Sequence, residues 1–184
     1  MTRDTVAAVL LGVLTLAYPL LVYAGLQRFE PRWLALLLLA IALARLGGGR
    51  RDPLAWATAV LALLLALVSG WLNAPLPVKL YPVAVNALML LLFGLSLRHP
   101  PSLVERIARI QEPDLPPHAV TYTQRVTQVW CGFFVINGGI ALWTALYASA
   151  ATWALYNGLI AYLLMGALFA VEWLVRQRVR ARHA

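Results

Sequence analysis

Long apolar runs alternate with short charged segments along the chain. No charged residue occurs between Thr5 and Gln27, a run of 23 residues, or between Val126 and Val171, a run of 46 residues. Because a helix needs about 20 apolar residues to cross the hydrocarbon core of a bilayer, the longer run predicts two helices joined by a tight turn near residues 148–149. This pattern indicates a protein that lies in a membrane.

The spacing of these runs predicts an all-α, polytopic membrane protein with a single transmembrane domain over residues 1–184. The first run is longer than the roughly 7–15 residues of a signal-peptide core, so we interpret it as a retained span. The second span is short, and it crosses only if Arg45 extends to the interface; a re-entrant segment is the alternative. The six predicted spans cover about residues 5–26, 31–47, 53–73, 80–97, 126–147 and 152–175.

Basic residues are concentrated on one side of these predicted spans. With the N-terminus inside, the inner segments contain twelve of the fifteen Lys and Arg residues, and the outer segments contain Arg28, Arg32 and Lys79. Cytoplasmic loops of membrane proteins carry such an excess, so we expect both termini in the cytoplasm and the protein in a bacterial inner membrane. The net charge of +8 therefore indicates topology, and no nucleic-acid partner is expected.

The largest predicted cytoplasmic loop, residues 98–125, contains an amphipathic segment between prolines. Ser102 and Glu105 have the S-x-x-E spacing of a capping box, which predicts the start of a helix. Apolar residues follow at helical spacing and predict a short amphipathic helix that lies in the inner headgroup layer. These apolar residues are Leu103, Val104, Ile107 and Ile110.

Two interpretations of this loop remain open. In the first, the loop is a solvated connector whose apolar face rests on lipid. In the second, it is a recognition surface for an anionic lipid head group or an acidic protein, because the planar fork of arginine binds two oxygens at once. The candidate residues for this binding are Arg98, Arg106, Arg109, Tyr122 and Arg125.

The last two predicted spans contain one acidic residue, which lies near the cytoplasmic interface. Antiparallel register about the turn places Arg125 level with Glu172, and Arg176 follows Glu172 by one helical turn. An ion pair of Glu172 with either arginine is expected. A proton-carrying role for Glu172 is the alternative.

Polar residues inside the predicted spans form a second candidate group. Asn137 and Asn157 differ in depth by three residues of the hairpin register, or about 4.5 Å at the helical rise. Asn86 lies at comparable depth, and Tyr18 and Tyr81 each precede a proline in the same outer half. These residues either hold helices together by hydrogen bonds or line a small cavity for a head group or polar substrate.

Recognisable catalytic motifs are missing from the chain. Cys131 is the only cysteine, which excludes an intramolecular disulfide and a cysteine zinc cluster. The three histidines lack H-x-x-x-x-D and H-E-x-x-H spacing, and neither a P-loop nor a G-x-S-x-G element occurs. Because only seven residues are acidic, general acid–base chemistry has few candidates. No metal or cofactor is expected, and an enzyme with an unfamiliar site is the less favoured interpretation.

Several motifs in the C-terminal half resemble a known family. They are PSLVERIAR at 101–109 with LPP at 115–117, YTQRVTQVW at 122–130 with FF at 133–134, and FAVEW at 169–173 with Trp153 and Asn157 upstream. The family comprises small membrane proteins, without an established active site, encoded beside acyl carrier proteins, ketosynthases and acyltransferases in aryl-polyene and xanthomonadin-type pigment clusters. Gln124 stands where relatives often have another arginine. The resemblance implies a pathway context and no mechanism.

This context favours a non-catalytic inner-membrane accessory protein of acyl-chain or pigment-lipid assembly. Its basic cytoplasmic face would hold an acyl carrier protein, which is typically acidic, or a membrane-associated acyltransferase. One alternative is a small transporter or flippase subunit for the lipid product, working as a homo-oligomer whose intramembrane polar residues line the path. A membrane enzyme is the other alternative.

Overall fold

The computed structural model describes residue 13, residues 17–47 and residues 53–181, and these residues are helical apart from short connections. Residues 5–12 and 14–16 of the first predicted span, and the arginine tail at Arg182, lie outside the described residues. The helices are α1 Ala17–Leu26, α2 Pro31–Gly47, α3 Pro53–Leu72, α4 Leu76–Lys79, α5 Tyr81–Arg98, α6 Leu103–Gln111, α7 Pro117–Tyr147, α8 Ala150–Leu155 and α9 Ala161–Ala181. A single π-helical turn, Tyr156–Ile160, joins α8 to α9.

The helix boundaries agree with the apolar pattern. Helices α2, α3 and α5 begin and end within one residue of the predicted ranges. Helices α7 and α8 are separated at residues 148–149, where the hairpin register predicts the turn, and Ser149 caps α8 by accepting a hydrogen bond from the amide of Thr152. The short helix of the loop is present as α6, so its prediction is confirmed as secondary structure.

Three of the described helices are long and apolar enough to cross a membrane. They are Tyr81–Arg98, Pro117–Tyr147 and the continuous helical segment Ala150–Val179. Shorter apolar helices occur at Ala17–Leu26, Trp33–Leu43 and Trp56–Leu72. These lengths and compositions indicate an integral membrane protein.

The described residues fall into two compact units. The first combines the residues up to Val85 with Gly139–Ala161. Within it α2 packs on α3, and the fully buried Ala59 and Ala62 of α3 present small side chains that allow close helix approach. Trp153 is also fully buried in this core.

The second unit combines Asn86–Gly138 with the residues from Tyr162 onward. Aromatic rings form its core: the centroids of Phe93 and Phe134 are 5.1 Å apart, and those of Trp130 and Phe169 are 4.6 Å apart. Val104 of α6 packs against this cluster. The aromatic core therefore holds α6 beside α7, and so positions the loop that carries most of the candidate residues.

Candidate functional site

Two buried serines fix the start of α6. Ser102 Oγ accepts a hydrogen bond from the amide of Glu105 at 3.4 Å, which confirms this contact of the predicted capping box. Ser96 Oγ, in the last turns of α5, donates to the carbonyl of Phe93 at 2.7 Å and accepts from the amide of Leu103 at 2.9 Å. Because both serines are at most 5% exposed, these bonds tie α6 to the end of α5.

Two candidate arginines bind the loop itself. Arg106 Nε donates to the carbonyl of Pro101 at 2.8 Å. Arg109 donates from Nε and Nη2 to Glu105 Oε1 at 2.9 and 2.8 Å, and from Nη1 to the carbonyl of Pro113 at 2.8 Å. The amphipathic pattern places Glu105 on the polar face, but its side chain is buried and is paired with Arg109. Both arginines therefore stabilise the loop's own conformation.

Arg98 and Arg125, at the two ends of the loop, differ from this pair. Both side chains are exposed. Neither makes a hydrogen bond or an ion pair with any residue that the structure describes. Their guanidinium groups therefore keep all their donors for water or for an external anion.

Glu172 on α9 is the centre of a polar cluster in the second unit. Arg176 donates from Nε to Oε1 at 2.9 Å and from Nη2 to Oε2 at 2.6 Å, so one of the two expected ion pairs is present. Tyr122 Oη lies 3.2 Å from both Oε1 and the main-chain oxygen of Glu172 and donates to one of them at a time. Arg125 makes no ion pair within the described residues, so the expected pair of Arg125 with Glu172 is not present there.

A cavity of about 180 Å³ adjoins this cluster. It lies between α6, the start of α7 and the end of α9, and its apolar wall includes Val104, Ile107 and Val179. Because a water molecule's share of liquid volume is about 30 Å³, the cavity holds several waters or a small polar group. The polar residues that line it are Gln111, Glu112, His118, Tyr122, Glu172 and Arg176.

The asparagines of the second unit form a direct contact. Asn137 Nδ2 donates to Asn86 Oδ1 at 3.0 Å, which joins α7 to α5. The helices approach closely here: a Cβ added to Gly138 would lie 3.1 Å from the Cβ of Asn86. This contact has the features of a polar bond between packed helices, which is the structural alternative of the two that the sequence leaves open.

The remaining members of the predicted polar layer belong to the first unit. Tyr18 Oη donates to the carbonyl of Val78 at 2.8 Å, and the rings of Tyr18 and Tyr81 meet edge to face at 5.1 Å. Asn157 lies in the π-helical turn, where its Nδ2 donates to the carbonyl of Trp153 at 2.9 Å. Asn157 Nδ2 also donates to Thr144 Oγ1 at 3.2 Å. The main chain, a neighbouring ring and this hydroxyl therefore engage these groups within the first unit, as structural contacts do.

The sequence pattern does not single out Lys79, which nevertheless joins two parts of the first unit. Lys79 Nζ donates to the carbonyl of Ala145 at 3.3 Å, and the Lys79 carbonyl accepts from Trp153 Nε1 at 3.0 Å. Partial burial lowers the pKa of the Lys79 ammonium from its ordinary value. Two sequence features could have drawn attention to Lys79: it is the chain's single lysine, and it ends a proline-containing turn.

Metal-binding side chains do not group together in the described ranges, where no three His, Cys, Asp or Glu residues are close enough to share an ion. Comparison of the chain with protein-family models, with curated proteins and with solved structures gives no match. The candidate site is therefore defined by its own geometry.

Proposed function

We propose that this protein is a non-catalytic accessory protein of a bacterial inner membrane that docks an acyl carrier protein, or a membrane-associated acyltransferase, during acyl-chain or pigment-lipid assembly. The carrying observation is that Arg98 and Arg125 are exposed and have no partner among the described residues, whereas Arg106 and Arg109 are engaged within the loop. Free arginines are suited to paired carboxylates on an acidic partner.

The proposed topology has six spans with both termini in the cytoplasm. Three long and three shorter apolar helices provide the elements, and the distribution of basic residues, twelve against three, supports this orientation. In this arrangement the loop between α5 and α7 faces the cytoplasm. Arg98 and Arg125 then lie where a cytoplasmic partner approaches.

Helix α6 is proposed to lie in the inner headgroup layer. Ile107 and Ile110 are 57% and 81% exposed, and leaving this apolar surface in water carries a free-energy cost. Contact with acyl chains removes that cost, while Arg106 and Arg109 remain on the polar side with the loop. The two free arginines flank this anchored helix, which holds them at the membrane surface.

The test is a binding measurement on the full chain in lipid nanodiscs. The probe is a phosphopantetheinylated acyl carrier protein from an aryl-polyene cluster, and the variant is the double substitution Arg98→Gln and Arg125→Gln. We expect its Kd to rise about tenfold, because two charge-assisted contacts are lost. The affinity of the unmodified protein should also fall with added salt, since exposed charges are screened.

Arg28→Gln is the matched control, because Arg28 is exposed but lies on the opposite side of the proposed membrane. Its carrier affinity should equal that of the unmodified protein. Carrier binding that survives the double substitution at wild-type strength, with the nanodisc protein intact by gel filtration, would refute docking on this face.

A further inference from the structure

An apolar groove runs along the second unit between α7 and α9. Its volume is about 350 Å³, within the roughly 300–1,000 Å³ of small-ligand sites. One wall consists of Val126, Val129 and Trp130 from α7, and the other of Leu168, Val171 and Val175 from α9. Val129 and Val171 are 55% and 56% exposed, so the groove is open along its length.

Polar residues lie at one end of this groove. Tyr122, Arg125 and Glu172 line it there, whereas Trp130 and Leu168 line the opposite end. Tyr122 and Trp130 are eight positions apart on α7, which is about 12 Å at the helical rise. The groove is thus apolar over most of its length and charged at a single end.

The charge at that end is positive. The Glu172 carboxylate is neutralised by its two-point contact with Arg176, and it also receives the Tyr122 hydroxyl. Arg125 remains exposed and without a partner among the described residues. One uncompensated guanidinium therefore stands at the mouth of an apolar groove, where a carboxylate is its natural counter-ion.

The geometry points to a binding site for a single-chain fatty carboxylate, with the chain between α7 and α9 and the carboxylate on Arg125. A methylene group is close in size to a water molecule, whose share of liquid volume is about 30 Å³, so the groove covers on the order of ten methylene groups of one chain. A longer single chain continues past the groove, which has no volume for a second chain beside the first. The site shares Arg125 with the proposed docking face, but its ligand is the free acid, so its test needs no carrier protein.

The experiment is photo-crosslinking of the full chain in nanodiscs. The probe is hexadecanoic acid with a diazirine in its chain, and the labelled peptides are mapped by mass spectrometry. We expect saturable labelling of residues 126–130 and 168–175, displaced by unlabelled hexadecanoic acid. Labelling spread evenly over all apolar helices, or not displaced by excess acid, overturns the proposal.

A pair of matched substitutions tests the groove itself. Val129→Trp fills it, whereas Val135→Trp places the same ring on a valine of α7 that is 56% exposed and does not line it. We expect the first variant to lose labelling of residues 126–130 and 168–175 and the second to retain it. Val171→Trp repeats the test from the opposite wall. Unchanged labelling in both groove variants overturns the proposal.

The head group is tested by competition. Hexadecanol should displace the probe at least about tenfold less effectively than hexadecanoic acid, and Arg125→Gln should remove that difference, because a hydrogen bond to a charged group is lost. Arg98→Gln, an exposed arginine away from the groove, should leave it unchanged. Equal displacement by the alcohol, or by phosphatidylglycerol, contradicts a fatty-carboxylate site. This competition assay contains no carrier protein. Its failure would therefore not bear on the docking proposal, which is tested by the Kd of the carrier.

Discussion

The hydrogen bonds that join distant parts of the sequence differ between the two units. In the first, Tyr18, Lys79 and Trp153 donate to main-chain carbonyls at least 60 residues away, as Trp153 does to Lys79 at 3.0 Å. In the second, Asn137 and Tyr122 reach the side chains of Asn86 and Glu172, at 3.0 and 3.2 Å. A main-chain acceptor is held by its helix, whereas a carboxylate turns with its own side-chain torsions and exchanges partners at lower cost.

This difference distinguishes a structural contact, the bond of Trp153 to the Lys79 carbonyl, from a region that borders cavities. The contacts of Trp153 and Lys79 link positions 74 residues apart and belong to the core of the first unit. The cluster of Tyr122, Glu172 and Arg176 borders two cavities, of about 180 and 350 Å³. Both cavities are lined by residues of the second unit.

The largest loss of stability should come from removing the Trp153 contact in the first unit. Trp153→Ala removes a fully buried ring and leaves the Lys79 carbonyl without its indole donor, so we expect the free energy of unfolding to fall by about 3–5 kcal/mol. Trp71→Ala, at a ring that is 90% exposed in the same unit, should change it by less than about 0.5 kcal/mol. Equilibrium unfolding in mixed micelles measures both. Equal losses of unfolding free energy in the two variants would show that the buried contact of Trp153 does not stabilise the first unit.

A smaller effect is expected at the polar cluster of the second unit. Glu172→Ala removes the partner of Arg176 and an acceptor of Tyr122. The cost should be about 1.5 kcal/mol, at the low end for hydrogen bonds to charged groups, because the Arg176 side chain is 44% exposed and water replaces part of the contact. Gln177→Ala, exposed on the same helix, is the control in the same unfolding assay. A loss as large as that of Trp153→Ala would erase the contrast between the units.

The smallest effect compares adjacent glycines in α7. A Cβ at Gly138 would lie 3.1 Å from the Cβ of Asn86, whereas a Cβ at Gly139 would meet nothing within 4 Å. Gly138→Ala should therefore be less stable than Gly139→Ala by about 1 kcal/mol, the low end of overpacking costs. Differential unfolding of the two variants measures this. Identical stabilities would mean that the contact between Asn86 and Asn137 does not require close helix approach.

Local contacts of the candidate site follow from the sequence, because they depend on spacing within one helix. Ser102 caps α6 at the position that S-x-x-E indicates, and Arg176 meets Glu172 four residues earlier. The ion pair of Arg109 with Glu105 has the same four-residue spacing. The bonds of Arg106 to the Pro101 carbonyl and of Arg109 to the Pro113 carbonyl do not follow, since they depend on how the proline-containing segments fold beside α6. Exposure of Arg98 and Arg125 is likewise a result of that fold.

The apolar runs and the helix signals between them determined the all-helical fold, the ends of α2, α3 and α5, and the turn at residues 148–149. Each of these depends on residues close in the chain. Only the tertiary structure decided that Asn137 bonds to Asn86, that Trp153 bonds to Lys79 and that the cavities border Glu172. Counting residues from a turn gives the depth of a side chain in the predicted membrane. It does not say which neighbouring helix the side chain faces, because each residue rotates by about 100° around the helix axis. Which side chains meet is therefore set by how the helices rotate and pack.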